Sequence, residues 1–133
     1  MRSPGGAAKL HGVLRCVIVD DNASFLAAAR ALLEREGLPV LGVAANQAEA
    51  LTVIEGSQPD VVLVDVTLGQ ESGFELARRL ATGEFAGQVV LISTYSEADL
   101  AELLADAPVR GFLTKSQLSA AAVRRLVSEP RDT

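Results

Sequence analysis

Five short runs of aliphatic residues alternate with five stretches of helical period, and this alternation restricts the chain to few folds. The apolar runs are Leu14 to Val19, Val40 to Ala45, Val61 to Val64, Val89 to Ile92, and Arg110 to Thr114. The first helix is predicted from Ser24 to Glu36, where Phe25, Leu26, Ala29, Leu32 and Leu33 recur at the spacing of a single stripe. Gly37 stops it. Asn46 is a good N-cap for a second helix carrying Ala50, Leu51 and Ile54, which Gly56-Ser57-Gln58-Pro59 breaks. A third helix is expected from Gly73 to Ala81, a fourth opening at Ser96 through Leu100, Leu103 and Leu104, and a fifth from Ser119 to Val127. Strands alternating with helices imply one parallel sheet with right-handed crossovers and helices on both faces. Val61 to Val64 and Val89 to Ile92 are apolar at every position, as central strands buried on both sides must be.

A chain of 133 residues has room for one such core. With no tryptophan and 4% aromatic residues, that core must be built of Val, Leu, Ile and Ala. The net charge of −5 argues against direct nucleic-acid binding, which needs a basic stripe. The basic pairs Arg78-Arg79 and Arg124-Arg125 fall inside helices and read as solvated faces. Cys16, the lone cysteine, excludes an internal disulfide and sits in an apolar run as a small core residue. No apolar stretch approaches a membrane span, and residues 1–12 lack the apolar centre of a secretory signal. A cytoplasmic location is expected. Residues 1–12 read as a flexible leader, 13–128 as the domain, and 129–133 as a polar tail. His11, at the edge of the leader and without clustered partners, reads as a linker residue.

Chemistry concentrates where the apolar runs end. The first run ends in Asp20-Asp21, the third in Asp65, the fourth in Ser93-Thr94, and the fifth in Thr114-Lys115. In an open parallel sheet the functional crevice lies at the carboxyl ends of the strands, where strand order reverses. With strand order 2-1-3-4-5, the first and third strands are neighbours, and their three carboxylates share that crevice. Carboxylates so close repel one another unless a cation intervenes, and hard oxygen ligands of this kind suit Mg²⁺. Lys115 adds a fixed positive charge and Ser93 a hydroxyl. Taken singly, Asp20-Asp21 could only cap a helix and Asp65 only start a turn; polar groups of both signs at four strand ends favour a site.

Val17-Ile18-Val19-Asp20-Asp21, Val62-Leu63-Val64-Asp65-Val66, Leu91-Ile92-Ser93 and Gly111-Phe112-Leu113-Thr114-Lys115 resemble, in order and spacing, the signature blocks of response-regulator receiver domains. Gly73, eight residues after Asp65, matches the glycine that begins the family's third helix. The resemblance runs from about Leu14 to Val127. It implies a flavodoxin-like (βα)5 fold, doubly wound, in a bacterial two-component system. It further implies that Asp65 accepts a phosphoryl group from a histidine kinase and that Asp20, Asp21, Asp65 and the backbone carbonyl of Thr67 hold Mg²⁺. Asp21 is the direct ligand of the acidic pair, and Asp20 acts mainly through water. Ser93 and Lys115 then bind phosphoryl oxygens, and Phe112 falls at the switch aromatic. Such a domain is a stoichiometric phosphoacceptor, not a turnover enzyme.

Some positions depart from the family pattern. Gly69 replaces a common proline, which predicts a more mobile loop after Asp65, and Ser116 replaces another after the lysine, which argues against a cis peptide there. Tyr95, two positions after Ser93, is open between a place over the site and surface packing. Phe112, without a tyrosine hydroxyl, is equally readable as a buried strand residue. Eighteen residues (116 to 133) follow Lys115, too few for a helix-turn-helix. The expected partners are therefore a histidine kinase and either a separate output protein or a DNA-binding domain outside this sequence. A homodimer through the face of the fourth helix, fifth strand and fifth helix is also open. Two alternatives remain at this stage. One is a receiver-like interaction module without phosphorylation. The other is a Mg²⁺-dependent phosphatase with Asp65 as nucleophile, against which stands Thr67 where haloacid-dehalogenase-like enzymes carry a second Asp.

Overall fold

The computed structural model describes residues 13–128. The elements run β1 (Cys16–Val19), α1 (Ala23–Arg35), β2 (Val40–Ala44), α2 (Gln47–Ser57), β3 (Val61–Asp65), β4 (Thr67–Leu68), β5 (Glu71–Ser72), α3 (Gly73–Thr82), β6 (Gln88–Ser93), α4 (Ala101–Ala105), β7 (Gly111–Thr114) and α5 (Ala120–Ser128). Single 3-10 turns, Ala98–Leu100 and Lys115–Gln117, precede α4 and follow β7. The main sheet is parallel in the order β2-β1-β3-β6-β7. That is the predicted order 2-1-3-4-5 once the short β4–β5 pair is set aside. The expected leader (residues 1–12, with His11) and tail (129–133) lie outside the described residues.

Alternation along each central strand divides the core into two layers, because successive side chains leave opposite faces. Cys16, Ile18, Val61, Leu63, Val90 and Ile92 face Leu26, Ala29 and Leu33 of α1 and Ala120 and Val123 of α5. Val17, Val19, Val62, Val64, Val89 and Leu91 face Ala50 and Ile54 of α2 and Leu76, Ala77 and Leu80 of α3. Ile18, Leu63, Leu91 and Ile92 are wholly buried, each contributing about 1.5–3 kcal/mol. Cys16 is the core residue expected, its thiol pKa pushed up to about 12, chiefly by burial.

Side-chain caps open α1 and α2, and the cap of α2 is the Asn46 that the sequence predicts. The side chain of Asn22 accepts the Phe25 N–H at 3.0 Å and that of Asn46 the Glu49 N–H at 2.9 Å. Asn22, not the acidic pair, therefore caps α1. At the opposite end of the sheet, buried Asp60 accepts both the backbone N–H and Nε of Arg15, at 2.9 and 3.2 Å, and clamps β1 to β3. All peptide bonds among the described residues are trans, Ser116 included.

Two expectations need correction. The segment after Asp65 is not an open loop: Thr67 pairs with Ser72 and Leu68 with Glu71 in an antiparallel hairpin. Gly69 takes φ +63° at the first turn position, where a two-residue hairpin calls for glycine. The fourth helix is not one regular element from Ser96. It is a 3-10 turn followed by five α-helical residues, and Leu103 is 59% exposed. Leu100 and Leu104 are the partly buried leucines here.

Gly73 and Gly56 are opposite cases. A Cβ on Gly73 meets the backbone carbonyl of Asp65, with Val66 Cα at 2.9 Å, where the Gly73 N–H already donates to Val66 O. Gly56, exposed in α2, has nothing within 4 Å of its would-be Cβ. Chemical denaturation should find Gly73→Ala destabilised by roughly 2–3 kcal/mol and Gly56→Ala stabilised by about 0.5–1 kcal/mol.

Candidate functional site

The chain leaves β1 toward one side of the sheet to make β2 and returns to place β3 on the other side. The carboxyl ends of β1 and β3 thus flank the point where strand order reverses. Val19 pairs with Val64, so Asp20 and Asp65, the next residues of each strand, emerge side by side. Asp21 follows on the surface. Carboxylate oxygens of Asp20, Asp21 and Asp65 all lie within 4.8 Å of one another. Asp20 is fully buried, Asp65 is 7% exposed, and Asp21 is open to solvent.

Lys115 reaches into this group from the end of β7. Its Nζ lies 2.6 Å from Asp20 Oδ2 and 2.9 Å from Asp65 Oδ2, with the side chain 17% exposed. Asp20 Oδ2 is buried, and the Lys115 ammonium is its close partner. The other oxygens are held by backbone. Asp20 Oδ1 accepts the Asn22 N–H at 2.8 Å, and Asp65 Oδ1 accepts the Thr67 N–H at 3.1 Å. Burial raises the Asp65 pKa and Asp20 adds to the rise, against the opposing pull of Lys115 and the Thr67 N–H. For Lys115, burial pushes the pKa down, but the two carboxylates outweigh it and the net shift is upward. Three carboxylates and one ammonium leave a net local charge of −2 (−3 + 1).

Ser93 ends β6 at the same edge, buried, its Oγ accepting the Tyr95 N–H at 3.0 Å. Thr67 is exposed beside Asp65 at the start of the hairpin, and a Cβ on Gly69 would stand 3.6 Å from Asp21 Oδ2. Phe112 does not join the acidic group. It pairs with Leu91 in the sheet and lies half-buried against the α2–α3 layer. Tyr95 is 57% exposed, on the surface.

Two features escaped the sequence reading. The Lys115 ammonium sits 4.3 Å from the centre of the Phe25 ring, within cation–π range; helical periodicity marks Phe25 only as a stripe residue. Buried Gln47 is also unexpected. It donates to Glu75 Oε1 at 3.1 Å and accepts from Arg79 Nη1 at 2.8 Å, while its backbone N–H donates to Glu71 at 2.8 Å. This network ties the hairpin and α3 to the start of α2. Glutamine directly after an N-cap gave no sign of it, since that position is usually solvated.

The sequence matches the response regulator receiver domain family over residues 16–127. It is 30% identical over 101 residues to the transcriptional regulatory protein PdtaR of Mycobacterium tuberculosis, covering 76% of this chain and 49% of PdtaR. It is 25% identical over 104 residues to the DNA-binding transcriptional activator EvgA of Escherichia coli, covering 78% of this chain and 51% of EvgA. The chain thus spans about half the length of these relatives. Among solved structures, a LuxR-family two-component response regulator from Aurantimonas superposes with TM-score 0.74 at 28% identity, over 84% of this chain and 81% of that one. Among the described residues no helix is long and apolar enough to cross a membrane. Sheet order, strand-end chemistry and sequence agree, and the chain belongs to the response regulator receiver domain family of two-component signalling.

Proposed function

We propose that Asp65 is the phosphoacceptor of this receiver domain, taking a phosphoryl group from the phosphohistidine of a histidine kinase. The observation that carries the reading is the Lys115 ammonium 2.9 Å from a nearly buried Asp65 carboxylate at the switch point of the sheet. Phosphoryl transfer needs little from a protein beyond alignment and positive charge near the equatorial oxygens. A carboxylate oxygen of Asp65 forms the new P–O bond as the P–N bond to the imidazole breaks, and the bonding pair leaves with the imidazole. The Thr67 N–H fixes the carboxylate orientation, and Lys115 meets the incoming charge. Ser93 supplies a hydroxyl for a phosphoryl oxygen. The product is a stoichiometric acyl phosphate.

The donor set fits a divalent cation. It consists of hard oxygens close together, within 4.8 Å of one another, and carries a formal residual charge of −2 (−3 + 1) that one ammonium leaves unbalanced. Asp20, Asp21, Asp65 and the Thr67 carbonyl are the residues that would hold Mg²⁺. When bound, Mg²⁺ supplies positive charge to the transferring phosphoryl oxygens. Phosphorylation then biases the face of α4, β7 and α5, with Ser93 and Phe112 as switch residues, toward an output partner or a second copy. The relatives' greater length supports an output domain outside this chain, and EvgA, by its name, binds DNA. A cytoplasmic domain is the reading consistent with a histidine-kinase donor.

The electrostatics give a prediction in metal-free buffer. A carboxyl whose folded pKa is raised stabilises the fold fully only below its unfolded pKa, and that contribution is lost as pH rises through the folded pKa. Asp65→Asn should therefore raise the thermal midpoint at pH 7 by about 2–5 °C, and the gain should shrink as the pH falls through the Asp65 pKa. Mg²⁺ should raise the midpoint of the wild type and have much less effect on the variant. An unchanged or lower midpoint for Asp65→Asn would show that Asp65 carries no net electrostatic cost.

The central test is intact-mass measurement after incubation with acetyl phosphate. One phosphoryl adduct is expected on the wild type with Mg²⁺, and none after chelation or in Asp65→Asn. Lys115→Met should form it about 10²-fold more slowly. An adduct that survives in Asp65→Asn, or a wild type that never acquires one, overturns the assignment.

A further inference from the structure

We propose that Phe25 is a positioning residue for Lys115, its ring seating the ammonium so that the charge stays aimed at Asp20 and Asp65. This rests on the reading of Asp65 as acceptor and adds a residue to that site. The Lys115 Nζ lies 4.3 Å from the Phe25 ring centre while touching Asp20 Oδ2 at 2.6 Å and Asp65 Oδ2 at 2.9 Å. The ring thus covers a side of the ammonium that the carboxylates leave open.

The place of Phe25 is set by the site itself. Asp20 Oδ1 accepts the Asn22 N–H at 2.8 Å, and the Asn22 side chain accepts the Phe25 N–H at 3.0 Å. The Phe25 ring meets Lys115, and Lys115 returns to Asp20. The contacts form a closed circuit through β1, the start of α1 and the end of β7. Half-buried Phe25 also packs on the α1–α5 core layer, which limits its own motion.

The reaction explains what such a seat is for. Before transfer, two carboxylates hold Lys115. Once Asp65 is phosphorylated, its charge moves outward onto phosphoryl oxygens, and the lysine must turn to follow. A flexible lysine stem released from one carboxylate tends to carry its charge into water. The face of an aromatic ring attracts an ammonium without dictating its hydrogen-bond directions. Phe25 therefore keeps Lys115 in the pocket while its anionic partner changes.

The chain has two lysines, Lys9 and Lys115, so their side-chain NMR signals are separable. In the wild type, the Lys115 ε-methylene protons should lie upfield from ring current. The shift should persist in Phe25→Tyr and vanish in Phe25→Leu, which keeps an apolar side chain for folding. With acetyl phosphate and Mg²⁺, Phe25→Leu should be phosphorylated about three- to tenfold more slowly, and Phe25→Tyr within about twofold of wild type. Absence of the wild-type ring-current shift overturns the seat directly, with no variant needed. Equal rates for Phe25→Leu and wild type, or a Phe25→Tyr as slow as Phe25→Leu, overturn its role in transfer. A wild type that takes no phosphoryl group overturns the acceptor reading and the transfer role with it, while the ring-current shift still decides whether the seat exists.

Discussion

The arrangement of the site depends on one ammonium held between two carboxylates. Lys115 comes from β7, at one edge of the sheet, and its Nζ meets Asp20 from β1 and Asp65 from β3. Without it, buried Asp20 and nearly buried Asp65 would face each other uncompensated, a costly state for charges withdrawn from water. Lys115 thus acts both as structural counter-ion and as a ready positive charge. The fold meets the cost of this cluster elsewhere, in two apolar layers and in the Arg15–Asp60 clamp at the far end of the same strands. Asp60 shows the alternative fate of a strand-terminal acid: paired with one arginine and a backbone N–H, it has no second carboxylate to contend with.

The remaining carboxylate oxygens are tied to backbone that begins the next element. Asp20 holds the Asn22 N–H just before α1, and Asp65 holds the Thr67 N–H at the start of the hairpin. A change of charge at the site is therefore felt first at the entrance to α1 and at β4. Gln47 and Glu71 carry the hairpin onward to α2, while Gly73 lets α3 begin hard against the Asp65 carbonyl. The close approach at Gly73 leaves no room for a side chain between β3 and the start of α3.

The sheet was legible in sequence because its central strands are apolar at every position, a demand that helices on both faces impose. The site was legible for a related reason: strands so apolar make any charged residue at their ends conspicuous, and Asp20, Asp65, Ser93 and Lys115 all converge on one edge. What escaped notice depends on distance in sequence or on weak local preference. The Phe25–Lys115 contact joins residues ninety positions apart (115 − 25), and the periodicity that placed Phe25 in a stripe says nothing about a partner arriving from β7. The β4–β5 hairpin has strands of two residues, too short for any alternation to register. Leu100, Leu103 and Leu104 have the spacing of a longer fourth helix, but β7 is an edge strand and offers little surface to cover. The segment meets that demand with two leucines and leaves Leu103 in water.

That thin cover bears on how a change at Asp65 could reach a partner. Local stability follows buried contact, and segments with little of it open at low cost. The helices α1, α2 and α3 each bury three or more side chains, whereas α4 buries none fully. The Ser93 hydroxyl, at the site, holds the Tyr95 N–H at the start of the segment leading to α4. On the proposed function, a phosphoryl group competing for that hydroxyl pulls on the least buried of the described α-helices. Phe112, on β7 against the same layer as Leu100 and Leu104, would feel the repacking. Movement would then be directed toward α4 by differences in anchoring, with no dedicated linkage required.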